Sequence, residues 1–477
     1  MTTALRTGTT RAVMDGLYPK EHPYLHDPNG WMEDVLGEEL WSKLREINES
    51  VAENRYTAVH SAHDIGKSWD ASRLVCWWLD VHPVGSAFVV TTAPTDPQVK
   101  AILWREIRRA HAKGKLEGRI TLEAQWYMGA DELVAYGRKP ADYNPAAFQG
   151  IHARYVLVII DEACGVPLTL FNAVDSLITN ENSRALAIGN PDDPISQFEV
   201  ICRPGSGWNA VHVSAFDTPN FTGEPISTEL SEQLVSPVWV EERRKRWGVN
   251  SPIYMSKVEG RFPEDADDAV VPASWMAKSR LPRETKQAKE PRWMGVDVGA
   301  GGDESVVSMR RGPVGRILHQ DRVPDTMKTA EKVMELAVLH RITKINIDSI
   351  GIGKGVGDRV KQLVRAHVAA GGDRIEVNLV NVGEKSDDPT RFPLLRDQLW
   401  WEIARELSEE QLWDLSEIGD DAAAQLTSPK YGLDSRGRVK VEPKKETKER
   451  LGSSPDMADS IILSYYNGRP TKRWRIV

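Results

Sequence analysis

Between Arg55 and Pro194 the chain alternates short, uninterrupted apolar runs with stretches of helical period. The runs are "YTAVHS", "SAFVVTTAP", "YVLVIIDEA" and "ALAIGNP". A run that is apolar on both faces and bounded by turn residues belongs in a parallel sheet covered by helices, so this part is expected to be an α/β domain. Residues 262–290 are rich in proline and charge, and their latter part has few large apolar side chains, which reads as a linker. Beyond it, "RWMGVDVG", "ESVVSMRRG" and "RILHQDRV" predict three successive strands with Gly-rich turns. A helix around 327–340 and a strand at "KINIDSI" follow, a βββαβ order. The expected architecture is α/β in two domains: a mainly parallel sheet over 1–265, a linker at 266–290, and a second domain over 291–477.

At 477 residues the chain exceeds what one core usually organises, which agrees with that division. Hydrophobic residues at 40% and charged residues at 27% are those of an ordinary globular protein. No apolar run approaches the roughly 18 residues that cross a bilayer, the N-terminal stretch "MTTALRTGTTRAVMDG" lacks a secretory apolar core, and Cys76, Cys164 and Cys202 have no metal-ligand spacing. No membrane partner and a reducing cytoplasm are expected. The net charge of −8 argues against a generally basic surface and leaves local basic strips as the place for nucleic-acid contacts.

"VHSAHDIGKSWD", Val59 to Asp70, carries the first candidate chemistry. It matches G-x-x-x-x-G-K-[ST] with Ser61 in place of the first glycine. A bare G-K-[ST] occurs often by chance, and a helix N-terminus with a surface lysine is the plain alternative. The context is what strengthens it, since a strand precedes and the apolar spacing of "KSWDASRLVCWWLDV" predicts a helix after it. That order aims backbone N–H groups at phosphate, with Lys67 on the β/γ-phosphates and the Ser68 hydroxyl on Mg²⁺; Ser61, His63, Asp64 and Gly66 complete the loop. About ninety residues on, "YVLVIIDEACGVP" ends a buried strand in Asp161 and Glu162. The first is placed to hold the metal's water shell, the second to orient and deprotonate the attacking water. Asn190, at the end of "ALAIGNP", is placed to sense the γ-phosphate or simply to turn the chain before Pro191. In "LWREIRRAHAKGK", Arg105, Arg108 and Arg109 share one side by i, i+3, i+4 spacing, either a solvated face or an arginine finger for a neighbouring subunit.

A second constellation lies in the C-terminal part. Asp297 sits within an otherwise apolar strand, where a carboxylate costs stability unless it is paired or holds a metal. Asp348 ends "KINID", and Asp456 and Asp459 open an amphipathic helix in "SPDMADSIILSYY". Three carboxylates from two strands and a helix start can hold two divalent ions roughly 4 Å apart for phosphodiester cleavage. Asp456 is the favoured third ligand because it immediately precedes the helix, with Asp459 capping or pairing. Asp303 reads as a turn residue, and "GIGKGVG" at 351–357 as a flexible loop beside the site. Between Arg436 and Arg450 stand seven basic residues, Arg436, Arg438, Lys440, Lys444, Lys445, Lys448 and Arg450, against three acidic, a net of four positive charges. Such a strip binds backbone phosphates without reading sequence, unless it is only a solvated hairpin.

Together, "SAHDIGKS", "TTAPTDPQVKAILWREI", "FQGIHARYVLVIIDEACGVP" and "LAIGNP" resemble the ATPase domain of the large terminase subunit of tailed bacteriophages, over most of residues 25–265. "RFPLLRDQLWWEI", "KKETKERLGSSPDMADSIILS" and the acid constellation resemble that family's RNase H-like nuclease domain, over roughly 290–470. The resemblance implies a RecA/ASCE-like motor using ATP and Mg²⁺, with Lys67 and Ser68 on the nucleotide, Asp161 as the Walker B aspartate, Glu162 as the catalytic glutamate and Asn190 in the coupling motif. It implies Asp297, Asp348 and Asp456 or Asp459 as nuclease metal ligands, with Mn²⁺ able to substitute. The implied partners are double-stranded DNA, a small terminase subunit and a portal protein, in a homo-oligomeric ring, in the cytoplasm of a bacterial host and transiently at the portal vertex of the prohead. Where some members place a cis arginine finger this chain has His63, and where an upstream glutamine often contacts adenine it has Leu44. Readings from other classes are a helicase or remodelling ATPase with a catalytically idle RNase H-like docking domain, and a transposase or resolvase, which leaves the phosphate loop unexplained.

Overall fold

The structure is a computed structural model that describes residues 22–139, 153–266, 268–282, 291–299 and 302–467, without the side chain of Arg450. It divides into two compact units, one running to Val235 except for Pro191–Ile195, the other made of that short segment and the chain from Ser236 onward.

The first unit is built on an eight-stranded sheet of β1 (Tyr56–Ser61), β2 (Ala87–Thr92), β3 (Arg119–Ile120), β4 (Gln125–Met128), β5 (Glu132–Gly137), β6 (Tyr155–Ile160), β7 (Arg184–Gly189) and β8 (Asn209–Val213), in the order β3-β4-β5-β2-β6-β7-β1-β8. From β5 to β8 every neighbouring pair is parallel, while β3 and β4 add an antiparallel edge. The four expected strands are β1, β2, β6 and β7, and they form its centre. Ala58, Val59, Val89, Leu157, Ile159 and Leu186 are wholly buried, each such side chain contributing on the order of 1.5–3 kcal/mol. Helix Lys67–Val81 closes over them with Leu74, Val75 and Cys76 buried. Because β7 lies between β1 and β6, the carboxyl ends of these three strands stand side by side, which is where an open α/β sheet builds its sites.

The second unit has a five-stranded sheet, order β11-β10-β9-β12-β13, made of β9 (Arg292–Asp297), β10 (Ser305–Arg311), β11 (Val314–Asp321), β12 (Lys344–Asp348) and β13 (Glu376–Val380). The first three are antiparallel neighbours, and β12 and β13 run parallel to β9. Strand alternation sends Val307 and Met294 toward helices Thr326–Leu339 and Gly353–Ala369, and Val306 toward helix Asp456–Tyr465 and the helical segment after Leu395. The expected βββαβ order is observed.

Two expectations differ from the structure. "GIGKGVG" is not a loop beyond its first residues, because a helix begins at Gly353. A Cβ on Gly353 would lie 1.9 Å from the Asp348 carbonyl oxygen and one on Gly357 2.1 Å from Leu379, so the glycines admit a helix packed hard against β12 and β13. The described part of the 266–290 stretch is not a tether either. Val270 and Val271 are fully buried, the Val270 N–H donates to the Pro429 carbonyl (2.9 Å), and Ala273–Ser279 is helical. Helices Pro237–Trp247 and Pro252–Lys257, counted by sequence with the first domain, also belong to the second unit. Trp247 fixes the first of them, 1% exposed with its indole N–H donating to Asp421 (2.7 Å).

Candidate active sites

The loop from Ala62 to Gly66 joins β1 to helix Lys67–Val81 and is pinned at both ends. The Ala62 N–H donates to the Val213 carbonyl (2.9 Å), and the Asp64 carbonyl accepts from the Val235 N–H (3.1 Å). Gly66 caps the helix at φ 93°, a left-handed conformation that a side chain strains, while the exposed Asp64 also adopts positive φ. Leu44 backs the loop, 3.6 Å from where a Gly66 Cβ would stand, so this position supplies an apolar wall. His63 is half-buried in the loop and Ser61 is buried at its root.

Lys67 is 9% exposed and, among the described residues, makes long contacts to the Ala62 carbonyl (3.4 Å) and to Asn190 Oδ1 (3.5 Å). Its ammonium is therefore held over the loop without being consumed by a strong partner. Asn190 is itself fixed, its Nδ2 donating to the Ser61 carbonyl (2.6 Å), and so bridges the end of β7 to the end of β1. Ser68 Oγ donates to Asp161 Oδ1 (3.2 Å), bringing together the hydroxyl and carboxylate that sequence placed about ninety residues apart. Burial, reinforced by the charge of Glu162, pushes the Asp161 carboxyl up to about 7, against the pull of Lys67 and of hydrogen bonds from Glu162 N–H and Ser68. A hard cation beside these oxygens restores the ionised form, so the donor set fits Mg²⁺. Glu162 follows at φ 49°, ψ 46°, a left-handed conformation costing on the order of 1–3 kcal/mol. Gly189 makes room for that turn, since a Cβ there would stand 3.0 Å from the Ala163 nitrogen. Sequence reading passed over Gly189, although its place immediately before Asn190 was the available signal.

Helix Trp104–Gly114 buries Trp104, Ile107 and Ala110 and turns Arg105 and Arg109 outward. Both grip Glu106, at 3.3 and 2.8 Å. Arg108 Nη1 is buried without a hydrogen-bond partner among the described residues.

In the second unit, β9 delivers Asp297 and parallel β12 delivers Asp348 at the same sheet edge, while helix Asp456–Tyr465 brings Asp456 and Asp459 over it. The close approach depends on Gly295, where a Cβ would meet the Ser460 carbonyl oxygen at 2.0 Å. At the centre lies Lys444. Its Nζ is 3.0 Å from Asp297 Oδ2, 3.0 Å from Asp456 Oδ1 and 3.0 Å from Asp459 Oδ2. With that ammonium in their midst, no three His, Cys, Asp or Glu side chains among the described residues are spaced as they stand to hold a metal ion. The charge balance nevertheless asks for a cation. Burial pushes Asp297 up to about 7 in spite of Lys444, with the charges of Asp459, Asp456 and Asp348 adding to the rise. Asp348 is raised by burial and by Asp459. Burial acts on Asp459 too but is outweighed by Lys444, Arg396 and the Trp400 N–H, which hold it below the ordinary carboxylate range. Lys444 is raised despite its own burial by Asp459, Asp297 and Asp456. One monovalent ammonium among four carboxylates, all oxygen donors, is a set that suits divalent ions.

The structure thus brings together all four acids that sequence singled out and corrects one basic residue. Lys444 was grouped with the surface strip, but the turn of helix Lys444–Leu451 carries it inward to the carboxylates. Of the others, Arg438 pairs with Asp434 (2.7 Å), Lys445 reaches Glu449 (3.9 Å), Lys448 pairs with the turn residue Asp303, and Arg436 and Lys440 are exposed; the Arg450 side chain lies outside the described residues. A count of charges could not separate Lys444 from Lys445, since only the helix face does.

No family model matches the chain. It is 24% identical over 466 residues to a probable terminase large subunit of Enterobacteria phage P7, covering 89% of this chain and 87% of that one. Among solved structures it is similar to the nuclease domain of the large terminase subunit gp2 of bacterial virus Sf6 (19% identity, 42% of this chain and 98% of that one, TM-score 0.35) and to the HK97 bacteriophage large terminase (11%, 90% and 95%, TM-score 0.34). It is also similar to the large terminase ATPase domain of a Thermus phage (16%, 49% and 98%, TM-score 0.38). The likeness to large terminase subunits runs along nearly the whole chain.

Proposed function

We infer that this chain is the large subunit of a viral DNA-packaging terminase, an ATP-driven translocase of double-stranded DNA joined to a metal-dependent endonuclease that cuts the concatemer. One observation carries the reading: a single chain holds both a phosphate loop facing an acid pair and a cluster of four buried or half-buried carboxylates, on separate sheets. In the first site Lys67 and the N–H groups of the 62–68 loop hold the β/γ-phosphates, and Ser68 and Asp161 hold the Mg²⁺ that neutralises charge on the transferred phosphoryl. Glu162 orients water for attack, and Asn190, touching Lys67 and the end of β1, is placed to register loss of the γ-phosphate. Ser61, His63, Asp64 and Gly66 shape the loop.

In the second site Asp297 and Asp348 would hold divalent ions, which would supply activated water and stabilise the leaving oxygen. The third ligand is Asp456 or Asp459: both act on Asp297 and both have both oxygens engaged, Asp456 by the Glu304 N–H (3.0 Å) and by Ser454 and Lys444, Asp459 by the Trp400 N–H (3.1 Å) and by Lys444, while Asp459 also acts on Asp348. Asp456 also positions the 302–304 turn and Lys444. A helicase with an idle docking domain leaves four clustered carboxylates without a use. The expected partners are the small terminase subunit, the portal and further copies of the chain in a ring, in the host cytoplasm; no helix among the described residues is long and apolar enough to cross a membrane.

ATP turnover and plasmid cleavage in Mn²⁺ or Mg²⁺, measured on one preparation of the full chain, test the assignment. Lys67→Ala and Glu162→Gln are expected to lose turnover by a factor of about 10² or more and keep nicking; Asp297→Asn is expected to lose nicking and keep turnover. Turnover near wild type in both ATPase variants, or undiminished nicking in Asp297→Asn, sinks the corresponding half.

A further inference from the structure

Helix Pro237–Trp247, "PVWVEERRKRW", ends in a run of cations to which the reading above gives no task. In the second unit its last turn packs on the loop that leads into the carboxylate cluster. The Ser453 hydroxyl donates to the Arg246 carbonyl (3.1 Å), and Gly452, at φ 82°, lies so close that a Cβ would stand 2.0 Å from the Lys245 carbonyl oxygen. Between this helix, helix Lys444–Leu451 and the turn before β10 is a cavity of about 690 Å³. Arg243, Lys245, Arg246, Arg322 and Lys448 line it, and at its inner end are Ser454 and Asp456. The groove therefore reaches Asp456, one of the four acids of the cluster read as the nuclease centre.

Its cations are preorganised. Asp421 anchors Arg243 through Nη1 and Arg246 through Nε, both at 2.9 Å. Beside Nε on the same edge, Arg246 Nη2 is buried in the groove wall, 3.7 Å from Glu304 and without a hydrogen bond among the described residues. Arg322 reaches the same Glu304 (3.4 Å), and Lys448 is paired with Asp303. Adjacent carboxylates on one turn thus hold three cations from three elements in one place, the arrangement a phosphodiester backbone would meet. A planar guanidinium already fixed by a carboxylate suits phosphate oxygens, because little freedom is left for it to lose on meeting them.

We propose that this groove is the seat of the DNA backbone on the nuclease unit, with Arg246, Arg322 and Lys448 taking phosphates beside the scissile bond and Asp303 and Glu304 standing in for those phosphates until DNA enters. The proposal rests on the nuclease reading for what lies at the groove's inner end, and on the groove's own charges for what it binds. The Pro237–Trp247 helix is thereby part of the nuclease's DNA surface.

The test is binding of mixed-sequence duplex DNA to the full chain in Ca²⁺ over a range of salt, beside plasmid nicking in Mn²⁺. Arg322→Ala, whose side chain is 67% exposed, and Arg246→Ala are each expected to lower the slope of log affinity against log salt by about 0.9, and together by about twice that, with slower nicking and unchanged ATP turnover. Glu304→Gln keeps the backbone N–H that Asp456 accepts and is expected to act in the opposite direction, with tighter binding and nicking that persists to higher salt. Wild-type slopes in the double variant, or Glu304→Gln binding no tighter than wild type, overturn the groove. Altered slopes in a chain whose nicking does not respond to Asp297→Asn would keep the groove and remove the nuclease reading. Loss of ATP turnover in folded Arg322→Ala would assign the groove to the nucleotide and overturn the proposal.

Discussion

Lys444 shows how one side chain can do the work of an ion. Its ammonium touches three of the four clustered carboxylates and leaves a net negative pocket, so removing it strands like charges that a largely buried site tolerates poorly. Lys444→Met is expected to lower the unfolding temperature in chelator and to show a larger rise on adding Mn²⁺ than wild type does. Equal metal-dependent shifts in the two proteins, followed by calorimetry, would show that ammonium and metal do not share the space. A second residue, outside both sites, sets a pH limit on folding. His82 is 7% exposed, its Nδ1 lies 2.7 Å from the Trp78 carbonyl, and its ring lies 4.0 Å from that of Tyr155. Burial lowers its pKa to about 4 from an ordinary value near 6.5, so only the unfolded chain takes up a proton between those values. Stability from this group is unaffected above about 6.5 and falls as pH drops toward 4, by on the order of 2–3 kcal/mol. Denaturant unfolding of wild type and His82→Gln at pH 7 and 5 checks it: the variant is expected to lose less stability on acidification.

At the scale of elements, the nuclease centre depends on how near helix Asp456–Tyr465 comes to β9. Gly295→Ala would drive a methyl into helix backbone at Ser460 and Ser464, which has no flexible end to yield, and so is expected to cost at least 1–3 kcal/mol and to part Asp297 from Asp459. Plasmid nicking should fall steeply while ATP turnover, on the other sheet, stays; nicking at the wild-type rate would show that the close packing is dispensable. The same elements show what the sequence made legible. Strands that are apolar on both faces announce themselves, and β1, β6 and β7 with Lys67, Asp161, Glu162 and Asn190 at their ends were all found by pattern. Strand β8 and the β3–β5 edge were not, because their stretches are short or half-polar and gain their place from pairing with a sheet already present. The helix at Gly353 was hidden by glycines that usually mark loops but here serve close packing. Lys444 and the Pro237–Trp247 helix were hidden for another reason: their partners lie far away in sequence, and charge alone does not say which way a helix face turns.

For the whole molecule, the chain passes from one unit to the other at 190/191, 195/196 and 235/236, so the residue after Asn190 already belongs to the second unit. In the ring proposed above, completing a hydrolytic site across a subunit boundary is one way to time the motor. The phosphate loop has His63 where some members of the resembled family place a cis arginine, and Arg105 and Arg109 stand outward on helix Trp104–Gly114 with side chains 57% and 64% exposed, held by the shared Glu106. A cationic finger offered to a neighbour needs this: an anchored helix, an exposed tip and a counter-ion weak enough to leave, since exposed pairs contribute about 0–1 kcal/mol. If the finger acts in trans, Arg105→Ala or Arg109→Ala assemblies should hydrolyse ATP at a rate lower by about 10³ or more. Mixed with Lys67→Ala subunits, which keep their arginines but lose their own phosphate site, they should regain part of the turnover at interfaces where an intact loop meets an intact finger. Turnover plotted against mixing ratio is then a hump with both pure ends near zero. A straight line between the two ends, with both variants folded and assembled, would place the finger within its own subunit or remove it from the mechanism.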